Sequence, residues 1–201
     1  MGFEYELKFS ASAAQQAAIA GAMSQPGQVI AMETTYYDTP EGLLSARRIT
    51  LRRRFENGVS ICTVKTPAVS GRGEWETRCD AIEAAVPILC KLGAPEALLS
   101  LTAGGLVEVC GARFQRTAYT LSLPDAVVEV ALDAGVLTGG GRECPLCEVE
   151  VELKSGSRDG ADRYARDLAR TYGLEPLHQS KFRRALGLAK GEGYGTAYKT
   201  L

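Results

Sequence analysis

Glu148, Glu150 and Glu152 alternate with Val149, Val151 and Leu153, and this two-residue spacing of charges recurs along the sequence. Glu4, Glu6 and Lys8 share it near the N-terminus, Arg52 and Arg54 share it around Arg53, and Glu74 and Glu76 flank the single tryptophan, Trp75. Glu129 and Asp133 share one face of Val-Val-Glu-Val-Ala-Leu-Asp, with Val128, Val130 and Leu132 on the other. A period of two is that of a β-strand, whose successive side chains point to opposite faces. Carboxylates two apart on a strand lie roughly 6.6 Å apart at Cα, close enough for flexible Glu side chains to converge on one ion. Carboxylate oxygens are the preferred ligands of hard cations such as Mg²⁺, which shares its remaining positions with water and phosphate oxygens. Arg supplies a planar fork that grips phosphate bidentately, and Lys a point charge. Carboxylates, a divalent ion and an Arg/Lys cradle together make a polyphosphate site.

Two architectures would present one charged and one apolar face on strand after strand. A single sheet wetted on one side, with helices over the other, would do so. So would a closed barrel with charges lining its lumen and helices packed outside. The residue types separate the two. A solvated face tolerates Lys, Gln, Ser and Thr freely, whereas Glu, Asp and Arg dominate here. Taking such charges out of bulk water costs several kcal/mol per ion unless each finds a partner. The expectation is therefore an α+β fold built on a large antiparallel β-barrel, its charged lumen kept for a highly charged ligand.

Local signals place the elements that would carry these faces. Residues 3–9 alternate as a strand, and Ser10 and Ser12 can cap an Ala-rich helix over about residues 12–24. Residues 28–38 form a strand ending at the Thr39-Pro40-Glu41-Gly42 turn, and Glu56-Asn57-Gly58 joins strands near 49–56 and 59–66. A strand near 73–79 precedes a helical stretch over 80–101, broken at Pro87 and Gly93. Strands near 107–121, 125–133 and 145–154 follow, then helices near 159–173 and from Ser180 to about 188. No linker marks a second domain, so one domain is expected over residues 1–190, with a flexible, glycine-rich tail over 191–201.

Composition narrows the function classes. The 201 residues are 45% apolar and 23% charged, which excludes a disordered tail or a fibre. With 23 Lys+Arg against 24 Asp+Glu, the balance argues against a general nucleic-acid coat or a polybasic membrane binder. No apolar run approaches the ~20 residues that cross a bilayer. The N-terminus lacks a secretory pattern, and the six cysteines are too sparse for a disulfide scaffold, so a cytoplasmic protein with reduced thiols is expected.

Taken in order, the charged segments resemble the CYTH domain family, also called triphosphate tunnel metalloenzymes. Glu4-Tyr-Glu6-Leu-Lys8 resembles the family's ExExK signature. Tyr36-Tyr37-Asp38-Thr39-Pro40, Leu51-Arg52-Arg53-Arg54, Thr63-Val64-Lys65 and Phe114-Gln115-Arg116 follow it. Val128-Glu129-Val130-Ala131-Leu132-Asp133, Cys147 to Glu152, and Ser180-Lys181 with Arg184 complete a set spanning about residues 3–187. The resemblance implies an eight-stranded antiparallel tunnel, helices outside it, that binds a triphosphate in its lumen. It points most closely to bacterial inorganic triphosphatases, which release phosphate and pyrophosphate. Carried over, it makes Glu4, Glu6, Glu129, Asp133, Glu148 and Glu150 metal ligands or orienters of metal-bound water, for Mg²⁺ or Mn²⁺. Lys8, Arg52, Arg54, Lys65, Arg116, Lys181 and Arg184 become the phosphate cradle, with Glu6, Lys8, Arg52 and Arg54 at the reacting centre. Glu74, Glu76, Glu152, Arg113 and Arg183 depend on strand register to face inward. One departure is Ala185 after Arg184, where the family usually has Gly. Many relatives dimerise, so the resemblance also allows a homodimer. Hydrolysis of thiamine triphosphate or a nucleotide, class IV adenylyl cyclase activity and non-catalytic polyphosphate binding are the competing readings.

Other signals carry less. Cys144-Pro-Leu-Cys147 has no second pair to complete a zinc tetrad and reads as a turn entering a strand. His178, the single histidine, reads as a surface or capping residue. Gly139-Gly140-Gly141 lacks the Lys-Ser/Thr of a phosphate-binding loop and reads as a turn.

Overall fold

The computed structural model describes residues 2–68 and 71–192, and side chains over 5–67 and 72–192. The expected tail beyond Glu192 and the side chain of Glu4 lie outside these limits. β1 (Gly2–Glu4) and β2 (Glu6–Ser10) are separated only by Tyr5, and α1 (Ala13–Ala22) follows. Then come β3 (Gln28–Asp38), the short α2 (Leu43–Ala46), β4 (Thr50–Glu56), β5 (Val59–Ala68) and β6 (Gly71–Arg78). Helices α3 (Ile82–Lys91) and α4 (Ala97–Thr102) lead to three long strands, β7 (Val107–Ser122), β8 (Ala126–Gly139) and β9 (Arg142–Gly156). α5 (Arg158–Tyr172), β10 (Glu175–Pro176) and α6 (Lys181–Ala189) come last.

Turn and cap chemistry sets these limits. Ser12 Oγ accepts from Gln15 N–H while Gln15 Oε1 accepts from Ser12 N–H, a reciprocal pair that starts α1. Asn57 and Gly58 adopt φ of 48° and 84°, the left-handed pair that a two-residue hairpin needs between β4 and β5. Asp38 is buried at the end of β3, where Oδ1 accepts from the N–H of Thr39 and Leu44 and Oδ2 from that of Ser45. The aspartate of the Tyr-Tyr-Asp-Thr-Pro segment thus anchors α2.

Two expectations need correction here. Pro87 sits inside α3 without ending it. Proline removes one helical hydrogen bond, but Ile82, Ala85, Val86 and Leu89 are all buried and hold the helix on the sheet through that point. Cys144 and Cys147 lie within β9, because the hairpin falls earlier, at Gly140 and Gly141. Three residues apart on a strand, they point to opposite faces and cannot share a metal.

All ten strands pair antiparallel in one sheet, in the order β1-β6-β5-β4-β3-β7-β8-β9-β2-β10. Among the described residues, the expected eight-stranded closed barrel is therefore corrected to a ten-stranded sheet that is not closed. The count rises because Tyr5 interrupts the N-terminal strand and because β10 adds a two-residue edge on β2. Residues 2–10 nevertheless serve both flanks: Gly2 to Glu4 pair with β6, and Glu6 to Ser10 pair with β9.

Helices cover the apolar face in two places. α1 and α5 lie over Phe9, Val128, Val130, Val149 and Val151, with Ile19, Ala161 and Ala165 fully buried between. α3 and α4 lie over Leu51, Cys62, Val64 and Trp75. Each Val or Leu buried in this way contributes roughly 1.5–3 kcal/mol. α6 packs on the opposite, charged face: Ala185 and Leu186 meet Phe114, Leu137 and Leu146. Phe114 is two residues from Arg116, Leu137 four from Asp133 and Leu146 two from Glu148, so each shares its strand's charged side. Among the described residues, no helix is long and apolar enough to cross a membrane.

Candidate active site

The charged face surrounds two confluent hollows. The smaller, about 70 Å³, is lined by Glu6 and Lys8 of β2, by Thr50, Arg52 and Arg54 of β4, and by Lys65 and Arg72. Tyr36, Arg116, Glu150, Glu152 and Ser180 to Phe182 complete this inner chamber. The larger, about 590 Å³, shares Arg52, Arg54, Arg116 and Glu152 with it. Glu56, Glu74, Glu76, Glu129 and Lys154, with apolar Ile30, Met32 and Leu92, line this outer part. The inner chamber holds seven cationic side chains against three carboxylates.

On the β8–β9 side, charges are matched one to one. Carboxylate oxygens of Asp133, Glu148 and Glu150 lie within 4.8 Å of one another. Lys181 Nζ reaches Asp133 Oδ2 at 2.7 Å and Glu150 Oε1 at 2.8 Å, and also contacts Glu148. Arg116 grips Asp133 with both Nε (2.8 Å) and Nη2 (2.7 Å), and reaches Glu150 at 2.5 Å. Arg184 pairs with Glu148. From α1, the buried Gln16 donates to the backbone carbonyls of Asp133 (3.0 Å) and Glu148 (2.9 Å). Burial works against the charge on Lys181, but Glu150, Asp133 and Glu148 hold its proton well above the usual lysine range. Burial likewise works to raise Glu150, yet Lys181 and Arg116 outweigh it and keep that carboxyl well below its normal range. For Glu148 burial wins and its carboxyl is raised, against the pull of Lys181 and Arg184.

On the β4–β6 side the described ion pairs are longer and more widely shared. Arg54 is buried, with Nε on Thr34 Oγ1 at 3.1 Å and Glu56 3.5 Å away. Burial first, then Arg52 and Arg116, lowers its pKa from the usual arginine range to about 10. Arg52 and Lys65 share one carboxylate, Glu74, at 3.6 and 3.4 Å. Arg52 Nε is buried without a hydrogen-bond partner among the described residues. A third group is acidic. Glu6 and Glu129 lie directly opposite Glu152 on its two neighbouring strands. Like charges directly opposed in a sheet repel, and here the cations sit at the sides, Lys8 on Glu6 at 2.7 Å and Lys154 on Glu152 at 3.1 Å.

The structure thus gathers Glu6, Lys8, Arg52, Arg54, Lys65, Arg116, Glu150 and Lys181 around the inner chamber. Glu129 falls in the outer part, while Asp133, Glu148 and Arg184 lie behind Lys181. Of the residues whose direction depended on register, Glu74, Glu76 and Glu152 line the hollows. Arg113 points outward to Glu143, and Arg183 and His178 are exposed. Sequence reasoning missed Arg72, Thr50 and Gln16. Arg72 sits between two glycines, and Thr50 and Gln16 carry no charge, so no alternating pattern flags them.

Residues 2–186 match the CYTH domain family, and the chain belongs to it. It is 32% identical over 133 residues to an inorganic triphosphatase of Haemophilus influenzae. That alignment covers 65% of this chain and 38% of the relative, so the chain spans well under half of that protein's length. The fold is shared with a Pyrococcus horikoshii protein at a TM-score of 0.64 and 21% identity, covering 92% of this chain and 99% of that one. A Hippeastrum protein, described both as an adenylyl cyclase and as having a dominant triphosphatase activity, also gives 0.64, at 18% identity and 98% coverage of each chain.

Proposed function

We propose that this chain hydrolyses inorganic triphosphate to pyrophosphate and phosphate with the help of Mg²⁺ or Mn²⁺, within a single domain over residues 1–190. In this reading residues 2–10, which pair with β6 on one flank and β9 on the other, bring the two flanks of the sheet around a tunnel-like hollow. The observation that carries the proposal is Arg54, a buried guanidinium that shares the chamber with Arg52 and Arg116 and has Glu56 only at 3.5 Å. Such a group is stabilised by a polyanion among Arg52, Arg54, Lys65 and Arg116, and the inorganic triphosphatase relative supports the choice of substrate.

The donor chemistry fits a divalent ion. Asp133, Glu148 and Glu150 have the spacing for one, but Lys181, Arg116 and Arg184 already neutralise them. The row Glu6, Glu152 and Glu129 instead sets three carboxylates abreast, and Glu6 and Glu152, with Glu150, border the chamber. These residues, with Glu4 of the ExExK segment, would hold the metal, and Asp133 and Glu148 would anchor Lys181 and Arg184. When bound, the ion supplies charge neutralisation and polarises the phosphoryl group.

The chain's own residues do the rest. Lys8, Arg52, Arg54 and Lys65 bind phosphate oxygens and stabilise the charge that accumulates on them in the transition state. Arg116 and Lys181, fixed by Asp133 and Glu150, hold the phosphate chain in line. Glu6, 2.7 Å from Lys8 Nζ, orients a water for attack on the terminal phosphorus. No side-chain nucleophile is needed; burial pushes the thiols of Cys62 and Cys110 up to about 11 and about 12. Phosphate release from tripolyphosphate with Mg²⁺ or Mn²⁺, and its abolition by EDTA, is the expected result. Undiminished release in EDTA, or in a Glu6→Gln, Glu152→Gln double variant, overturns the mechanism. The apolar side of the outer hollow, Ile30, Met32 and Leu92, favours one second reading, an organic triphosphate. Comparing rates on tripolyphosphate, ATP and thiamine triphosphate decides between them.

A further inference from the structure

Seven cations line the inner chamber, and all but one have been given a partner or a role above. The exception is Arg72, the first inward residue of β6. Its Nη2 donates to Thr50 Oγ1 at 3.0 Å, and among the described residues no carboxylate lies within ion-pair distance of it. Lys181 meets three carboxylates, Arg116 reaches three, and Lys65 and Arg52 share Glu74. Among the described side chains Arg72 is steadied by a neutral hydroxyl, with Glu4 opposite it in the β1–β6 ladder, and its guanidinium borders the chamber where a ligand anion can reach it. Thr50 itself is buried, which fixes the geometry of that hydrogen bond.

Position says what that anion is. Arg72, Thr50, Lys65 and Ser180 line the inner chamber only, whereas Arg52, Arg54 and Arg116 border both hollows. The acidic residues Glu56, Glu76 and Glu129 stand at the other end. The hollow is therefore electrically polar, acidic at the wide end and most cationic next to α6. A chain of phosphates placed in it is stabilised with its charge-dense end innermost. A guanidinium fork presents two parallel N–H donors, the arrangement that non-bridging oxygens of a phosphoryl group accept.

We propose that Arg72, held by Thr50, is a further substrate-binding residue that grips the phosphoryl group at the inner end of the chamber. This rests on the polyphosphate reading of the site. The test is titration of the 201-residue chain with tripolyphosphate by calorimetry, with and without Mg²⁺. It compares the wild type with Arg72→Gln, Arg72→Lys and the exterior control Arg113→Gln, and follows thermal unfolding of each. Loss of a charge-assisted contact predicts at least about tenfold weaker binding for Arg72→Gln. Partial recovery is expected in Arg72→Lys and none of the loss in Arg113→Gln, with unfolding temperatures unchanged throughout. Tripolyphosphate should also protect Arg72 from phenylglyoxal, read by peptide mass mapping, an outcome independent of folding of any variant. Wild-type affinity in a folded Arg72→Gln protein, or modification of Arg72 undiminished by bound tripolyphosphate, overturns the inference and leaves the polyphosphate reading standing. A wild type that binds no tripolyphosphate brings down both.

Discussion

The two sides of the hollow use the same residue types to opposite ends. Along β7, β8, β9 and α6, three carboxylates and three cations pair with one another in a buried cluster. Along β4, β5 and β6, guanidiniums and a lysine crowd together, and among the described residues Glu56 and Glu74 are the acids that reach them. A buried cation already paired with acids is fixed in position by them, so it orients a ligand more than it attracts one, and removing one partner strands the other charge. A buried cation opposed by its neighbours weakens the fold slightly and is available to an anion. The first side is therefore read as framework and the second as binding surface, although sequence alone treats both as one cradle.

Breaking the framework should give the largest effect. Lys181→Met leaves Asp133, Glu148 and Glu150 facing one another without their shared ammonium. A stability loss of about 3–5 kcal/mol is expected, read from chemical denaturation at neutral pH. A loss below about 1 kcal/mol would erase the distinction. The next effect sharpens it from the other side. Arg54→Gln should change stability by under about 1 kcal/mol, yet weaken tripolyphosphate binding about 10- to 100-fold in calorimetry. Equal losses of stability and binding would place Arg54 with the framework.

The smallest effect is a pH dependence. Arg54 has its folded pKa depressed, so its proton is held less tightly in the folded chain than in the unfolded one. Its charged form costs stability below about pH 10, and that cost is relieved as pH rises above about 10 toward the usual arginine range. Tripolyphosphate affinity should fall as pH rises through about 10 while Arg54 loses its charge. Arg54→Gln should lack that component. Proton uptake on binding near pH 10, measured in buffers of different ionisation enthalpy, checks the same point.

Much of the fold is legible because strands with one wet and one dry face announce themselves by alternation. The 28–38 strand, the Asn57-Gly58 hairpin and the Ser12 and Ser180 helix starts follow from local chemistry. Alternation says that Glu148, Glu150 and Glu152 share a face; it says nothing of what stands across from them. Only the docking of α6 separates Glu148, deep beside Lys181 and Arg184, from Glu152 at the junction of the two hollows. Pro87 misleads for a related reason, since burial of its neighbours is a tertiary fact. Arg72 escapes notice because Gly71 and Gly73 beside it break the pattern that marks Glu74 and Glu76.

The pairing of β2 with β9 joins residue 8 to residue 150, and α6 brings residue 181 against the latter. During synthesis the first strand must wait for most of the polypeptide before it finds its neighbour. Until the last helix arrives, the acidic residues of β8 and β9 lack the lysine that lets them be buried together. Contacts so distant along the chain slow folding. The nascent protein should therefore stay open, with its carboxylates in water, until residues near 181 have cleared the ribosome.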